Sequence, residues 1–389
     1  MDLILQPRSL QGQVPILPSK SFAHRVLICA ALADKPTSIL CPQTSADMEA
    51  TVDCLEALGA AIVRTPEGFE VTPISSVPEY AELPCRESGS TLRFLLPVVG
   101  ALGVEAVFHM EGRLPQRPLS PLWEELEAKG CRLSRGSTAT LRCEGKLHAD
   151  TYTMDGSVSS QYITGLLLAL PHIPGHTALE ITGQVESAPY IQMTRDVLAL
   201  FGGDGKHSPG RVSIEGDWSN AAFFLAANSL GSRIRVTGLR EDSAQGDRQI
   251  RTLLPLLREG CPTICAKDIP DLVPILSVVA AANHGAVFTR IHRLRLKESD
   301  RVTSVIRMLE ALGGQAEAVE DTLTVYGTGL KGGIVDSFGD HRIAMSAAIA
   351  ATVCKQTVQV LDAHCVEKSY PSFWEEYARL GGQYEQYLR

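Results

Sequence analysis

Six times along the chain a small or polar opening gives way to a run of apolar and small residues long enough to fill one buried helix. The runs are SKSFAHRVLICAAL from Ser19, SGSTLRFLLPVVGAL from Ser88, SSQYITGLLLAL from Ser159, WSNAAFFLAANSL from Trp218, PDLVPILSVVAAA from Pro270 and DHRIAMSAAIAAT from Asp340. About 30 residues after each comes a helix of the other kind, amphipathic and closed by glycine. These are MEATVDCLEALG, LSPLWEELEAKG, IQMTRDVLALFGG, DRQIRTLLPLLREG, DRVTSVIRMLEALGG and YPSFWEEYARLGG. A period of about 55 to 70 residues with two helices per unit predicts six similar modules.

Short β-rich runs such as TSILC at Thr37, AVFHM at Ala106 and RIRVTG at Arg233 separate the two helices of a module. After the second helix come alternating segments such as AIVRTPEGFEVT and CRLSRGSTATLRC, so the predicted unit is strand, helix, strand, helix, hairpin. Glycine after each second helix suits a left-handed cap. Modules three and four leave far less chain for a hairpin, Gly203 to Gly216 and Cys261 to Ile269, than the other modules do. The fold class is therefore α/β, with the hairpins of modules three and four shortened.

Length changes the picture next: 389 residues suit two domains better than one, three modules in each. With 44% hydrophobic and 21% charged residues the chain is an ordinary globular protein. It has no run of 18 apolar residues and opens with MDLILQPRS rather than a charged and then apolar leader, which predicts a cytoplasmic protein with no membrane partner. The formal charge of −8 argues against a nucleic-acid partner. Ten cysteines are a small fraction at this length, several lie in apolar helices (Cys29, Cys54, Cys354) and no C-x-x-C occurs, so they read as reduced core thiols. Cys261 and Cys265 lack a paired His or second Cys cluster, and no metal site is expected there.

Charge sits oddly at the helix mouths. Lys20, Arg25 and Arg342 lie where the partial positive charge of a helix N-terminus disfavours cations, and a bound anion would reverse that sign. Ser88, Gly89, Ser90 and Thr91 with Arg93, and Ser159, Ser160 and Gln161, add hydroxyls and backbone donors of the kind that cradle phosphate. For each mouth taken singly, N-capping by Ser or Asp and a Lys or Arg reaching to water is the simpler account; repetition across modules favours a pocket for polyanions. Arg117 lies in the loop GRLPQRPLSP, Lys297, Glu298, Asp300 and Arg301 form LKESDR, and Lys368 lies in EKSYP. By itself LKESDR reads as a capping arrangement, with Ser299 or Asp300 as cap and Arg301 solvated.

Eleven segments in order, LPSKSFAHRVLICAALA, ESGSTLRFLLP, RLPQRPLSPL, DGSVSSQYITGLLLALP, ESAPYIQMT, IEGDWSNAAFFLAA, SAQGDRQI, IPDLVPILSVVAA, LRLKESDRV, FGDHRIAMSAAIAA and EKSYPSFWEE, resemble the signature segments of the 5-enolpyruvylshikimate-3-phosphate synthases. The resemblance runs essentially end to end. It implies two inverse α/β, barrel-like domains of three βαβαββ units each, residues 21–214 in one and 1–20 with 215–389 in the other, closing on the ligands. It implies transfer of the enolpyruvyl group of phosphoenolpyruvate to the 5-hydroxyl of shikimate 3-phosphate, with release of phosphate and no metal or organic cofactor.

Carried over by position, the phosphate of shikimate 3-phosphate is expected at Ser159 and Ser160 with Ser187 and Lys297 nearby. Its ring and carboxylate are expected at Ser21, Arg25 and Gln161, and Tyr190 matches the family's tyrosine. Phosphoenolpyruvate is expected at Lys20, the Gly89 backbone, Arg93, Arg117, Arg301, Arg342 and Lys368. Asp271 matches the carboxylate that serves as general base, and Glu298, with Lys20, is the candidate for proton transfer at the methylene carbon. For Asp271 the structural alternative is an N-cap, and His341 is read as a structural histidine.

Departures from the family pattern are Glu87 for a common Asn, Arg293 for the Asn four residues before Lys297, and Ala188 for a Lys, which puts one shikimate contact in question. Lost hairpins predict either a compact monomer or an oligomer that shields bare sheet edges. A related transferase acting on UDP-N-acetylglucosamine would carry Asn-Lys at the first mouth and a loop Cys, where this chain has Ser19-Lys20-Ser21 and Arg117. A degenerate relative that only binds a sugar phosphate or a protein partner is the other alternative. Retention of Lys20, Arg117, Asp271, Glu298, Arg301, Arg342 and Lys368 together argues against it.

Overall fold

The structure, a computed structural model, describes residues 1–136 and 139–387. The six apolar runs are helices Lys20–Leu32, Gly89–Leu102, Ser160–Ala169, Trp218–Ser229, Val273–Ala282 and His341–Ala351. Five are capped by the side chain just before them, Ser19, Ser88, Ser159, Asp217 and Asp340, each accepting a backbone N–H of the first turn. The exception is Val273–Ala282, preceded by Leu272 with no side-chain cap, so Asp271 is not spent as an N-cap.

The amphipathic runs are helices Ala46–Ala57, Leu122–Ala128, Ala188–Leu200, Ile250–Glu259, Arg301–Ala311 and Phe373–Arg379. Glycines 59, 130, 202, 313 and 381 follow five of them at positive φ, which lets the chain turn out of the helix without a Cβ clash. Gly260 departs from the expected cap: it is extended, with φ −176°, after a helix that contains Pro255.

Four sheets share one order. Tyr80–Arg86 and Glu105–Met110 pair in parallel, followed by Thr140–Gly145 and Cys131–Arg135 in antiparallel succession. The same pattern joins Thr263–Cys265, Gly285–Thr289, Thr322–Tyr326 and Gln315–Val319. In the first module Arg211–Ser213 returns to take the outer parallel place beside Thr37–Leu40. In the last, the N-terminal strand Asp2–Leu5 inserts between Val358–Leu361 and Tyr384–Tyr387, with Leu3 opposite Val360. Two sheets consist of the parallel pair alone: Thr151–Asp155 with Ala178–Thr182, and Gln11–Pro15 with Arg233–Thr237.

The chain divides into two compact units, Met1–Leu17 with Gly216–Arg389, and Pro18–Glu215. Each has its own core, in which the apolar helices are buried on nearly every side: all of His341–Ala351, and all but the ends of Gly89–Leu102 and Val273–Ala282. That is why these runs lack a polar stripe. In one unit His341–Ala351, Val273–Ala282 and Trp218–Ser229 pack on one another; in the other, Gly89–Leu102 packs on Ser160–Ala169 and both meet Lys20–Leu32. Among the described residues no helix is long and apolar enough to cross a membrane.

Candidate functional site

In the unit Pro18–Glu215 the polar openings of the apolar helices carry the predicted side chains. Lys20 opens its helix and donates to Asp47 Oδ2 at 2.9 Å, both side chains being largely buried. Arg25, one turn further in, is 2% exposed. Its guanidinium donates to Thr194 Oγ1 at 2.8 Å, Thr164 Oγ1 at 3.2 Å and the carbonyls of Ser21 and Tyr190, and lies over the Phe94 ring. All four acceptors are neutral. Burial pulls Arg25 down to about 9, still charged at neutral pH, so among the described residues it is a buried cation with hydrogen bonds but no paired acid.

Arg93 and Arg117 converge on Gly89. A Cβ placed on Gly89 would lie 2.5 Å from Arg93 Nη1 and 2.7 Å from Arg117 Nη1, so the missing side chain is what lets two guanidinia reach this backbone. Arg93 also donates to Gln161 Oε1 at 3.3 Å and to the Pro118 carbonyl at 3.1 Å, and Gln161 Nε2 donates to Ser90 Oγ at 3.0 Å. Arg117 Nε is buried with no hydrogen-bond partner among the described residues. Ser159 caps the helix that Ser160 opens, and Tyr190 lies on helix Ala188–Leu200. Ser187 precedes that helix at φ 55°, a conformation rarely held by a residue with a side chain.

In the other unit, Asp271 is the centre of a charge cluster. Its Oδ1 accepts Arg301 Nη1 at 2.6 Å and lies 3.5 Å from Lys297 Nζ, while its Oδ2 accepts Arg342 Nη2 at 3.1 Å. Burial alone would raise this carboxyl, but Arg342, Lys297 and Arg301 outweigh it and hold Asp271 well below the usual carboxylate range. Arg301 is 1% exposed and donates to Asp340 Oδ2 at 2.8 Å and Glu298 Oε2 at 2.6 Å as well. Burial would lower it, but Asp340, Glu298 and Asp271 keep it firmly protonated. Asp300 caps helix Arg301–Ala311 as the capping alternative requires, whereas Arg301 is buried rather than solvated. Burial pulls Lys297 down to about 8, with Asp271 opposing.

Lys368 ends the short turn Ala363–Lys368, which packs on helix His341–Ala351. Arg293 is buried, and its charge is one of those that lower Lys297. Ala188 is the first residue of its helix, and His341 is buried beside Asp340.

Three acids in the arrangement escaped the sequence reading. Asp47 and Asp340 are the partners of Lys20 and Arg301. Asp247 is wholly buried, accepts the Ser219 hydroxyl, and is pushed up to about 7 by burial and then by the charge of Asp271. Two of them lie in quoted segments, SAQGDRQI and FGDHRIAM, where an acid amid a cationic mouth is the available signal.

In one unit cations gather at serine-rich helix mouths, which suits anionic ligands; in the other a carboxylate is held ionised among three bases, which suits proton transfer. The model of one family, EPSP synthase (3-phosphoshikimate 1-carboxyvinyltransferase), matches residues 4–257 and 262–377. A 3-phosphoshikimate 1-carboxyvinyltransferase of Clostridium kluyveri is 37% identical over 419 residues, covering 98% of both chains, and one of Clostridium beijerinckii is 36% identical over 429 residues, covering 99% of both. The EPSP synthase structure from Acinetobacter baumannii superposes with a TM-score of 0.78 at 20% identity, over 99% of this chain and 100% of that one. The enolpyruvyl transferase NikO from Streptomyces tendae gives 0.75 at 17% identity, over 99% and 98%. The chain belongs to the EPSP synthase family.

Proposed function

We propose that this chain works as a 3-phosphoshikimate 1-carboxyvinyltransferase, moving the enolpyruvyl group of phosphoenolpyruvate to the 5-hydroxyl of shikimate 3-phosphate with release of phosphate. The architecture we assign to it is six modules in two inverse α/β, barrel-like domains, with the hairpins of modules three and four lost. The cytoplasm is the compartment we assign, in keeping with ten free thiols.

Shikimate 3-phosphate is held by Ser159, Ser160 and Ser187 at its phosphate, with Lys297, and by Ser21, Arg25, Gln161 and Tyr190 at its ring and carboxylate. Arg25 suits the carboxylate because it is buried and pairs with no acid among the described residues. Phosphoenolpyruvate is held by Lys20, the Gly89 backbone, Arg93, Arg117, Arg301, Arg342 and Lys368. Arg117 brings an Nε with no partner among the described residues, and Arg93 a guanidinium already oriented by Gln161 and Pro118.

The 5-hydroxyl attacks C2 of phosphoenolpyruvate while C3 takes a proton, and the tetrahedral phospho-ketal then loses phosphate. Asp271 takes the hydroxyl proton; Glu298, with Lys20, delivers the proton to C3 and removes one later. An Asp271 held by three cations is ionised but weakly basic. Anionic substrates that draw Arg342 and Lys297 toward themselves lift its basicity at the moment it is needed. The remaining cations position the substrates and stabilise the leaving phosphate.

The observation that carries this reading is that Asp271, at a helix mouth, forgoes capping and takes Arg301, Arg342 and Lys297 instead. Asp271→Asn keeps the shape and removes the base. Its kcat should fall by about 10²- to 10⁴-fold with the affinity for shikimate 3-phosphate retained; turnover within a few-fold of the parent would remove Asp271 from the reaction.

A further inference from the structure

Beneath the Lys20–Asp47 pair runs a second link between the same two helices. Lys20 and His24 lie four residues apart on helix Lys20–Leu32, and Asp47 and Thr51 four apart on helix Ala46–Ala57, so each helix presents both on one face. One turn in from the charged pair, His24 Nδ1 lies 2.7 Å from Thr51 Oγ1. Thr51 Oγ1 in turn lies 2.7 Å from Thr91 Oγ1, which donates to Ser88 Oγ at 2.7 Å. All four residues are 0% exposed. Ser88 caps helix Gly89–Leu102, the one at whose mouth Arg93 and Arg117 converge.

The donors fall into one order. Ser88 Oγ receives both the N–H and the hydroxyl of Thr91, which leaves Thr51 to donate to Thr91 and the Nδ1–H of His24 to donate to Thr51. That tautomer leaves Nε2 as a bare acceptor, and it is buried with no partner among the described residues. The ring is neutral: burial above all, then Lys20 and Arg25, holds it well below its ordinary range. A buried histidine with one nitrogen unsatisfied is a worse core filler than leucine of similar bulk, so packing does not account for it. Directional contacts do what apolar packing cannot: they fix the rotation of three helices about their own axes, and with it the place of the side chains one turn outward.

We propose that His24, acting through Thr51 and Thr91, is a positioning residue that sets Lys20 and the Gly89 mouth at the spacing phosphoenolpyruvate requires. The proposal rests on the reading that Lys20, Gly89 and Arg93 hold phosphoenolpyruvate. An uncharged chain suits the task, since it adds neither attraction nor repulsion beside cations that serve an anion.

The test compares Thr51→Val, which deletes the hydroxyl at constant shape, with Thr51→Ser, which keeps it. It likewise compares His24→Leu with His24→Asn, whose amide N–H₂ stands near the place of Nδ1–H. Lys20→Met is measured in parallel. Steady-state KM for phosphoenolpyruvate, kcat, Kd for shikimate 3-phosphate and the thermal midpoint are read for each. Thr51→Val and His24→Leu should raise the phosphoenolpyruvate KM about tenfold, the worth of one buried hydrogen bond, with shikimate 3-phosphate binding within about threefold. Thr51→Ser and His24→Asn should stay near the parent. Variants that melt lower yet keep the parent KM would overturn the positioning role and leave a structural one. Lys20→Met with an unchanged KM removes the Lys20 reading and this proposal with it. A raised KM in Lys20→Met alone overturns the proposal and spares that reading.

Discussion

Burial above all, with Arg301 and Arg293, pulls Lys297 down to about 8, and Asp271 and Glu298 oppose the change. A lysine lowered in this way is charged below that pH and neutral above it, so an anion it holds is released as pH rises. The value of kcat/KM for shikimate 3-phosphate should therefore decline as pH climbs through about 8, and Lys297→Arg, whose charge persists, should carry the decline upward. A profile unmoved by Lys297→Arg would separate Lys297 from that substrate. At this scale the sequence singles out a set of cations but not the acids that balance them. Lys20 and Asp47 are 27 residues apart, Arg301 and Asp340 39, and no local pattern couples such positions. Asp271 was readable either as cap or as base; Leu272 takes the cap position, and the donors that the fold brings to Asp271 come from distant segments.

Each apolar helix is an element with one polar end, and what differs between the six is the use made of that end. Ser45, at the start of the amphipathic helix Ala46–Ala57, gives the reference case: its side chain caps through Met48 N and makes no further hydrogen bond among the described residues. Asp340 caps helix His341–Ala351 through Arg342 N and also takes Arg301 and Ser299, tying two helix mouths together inside the protein. The stability costs should separate accordingly in denaturant unfolding: about 1 kcal/mol for Ser45→Ala, against about 2 to 4 kcal/mol for Asp340→Ala, which loses a cap and also a buried acceptor of Arg301 and Ser299, while Asp271 and Glu298 remain to the guanidinium. Equal costs would mean that Asp340 is only a cap. Helix positions and most caps were legible because periodicity and Ser or Asp at the boundary are local signals. The extended Gly260 was not, since the turn after Ile250–Glu259 has to deliver a three-residue strand, Thr263–Cys265, to the edge of the next module's sheet.

At the scale of the whole molecule the short connections of modules three and four correspond to sheets of two strands where the others have four. The Clostridium kluyveri alignment runs over 419 residues against 389 here, so that relative carries stretches this chain lacks. The two reduced sheets carry polar side chains outward, among them Thr151, Thr153 and Glu180 in one and Gln11, Gln13, Arg233 and Arg235 in the other. None of the exposed large hydrophobic residues lies on their strands. Edges of that kind resist pairing with a second chain, so the protein should run as a monomer of 42.0 kDa by light scattering at micromolar concentration. A dimer would show that the reduced sheets are covered by another copy. What no sequence pattern conveyed is closure over distance, the return of Arg211–Ser213 to the first sheet and of Asp2–Leu5 to the last, because strand partners more than 170 residues away are chosen by the fold.

The assignment as a whole stands on one reaction needing two anions. Inorganic phosphate release by the purified protein is the direct measurement, with shikimate 3-phosphate alone, phosphoenolpyruvate alone and both together. Release that requires both substrates, in step with loss of phosphoenolpyruvate, is the predicted result. A folded protein that binds shikimate 3-phosphate and releases no phosphate with both present would contradict the account and mark a binding relative that has kept the charges and lost the chemistry.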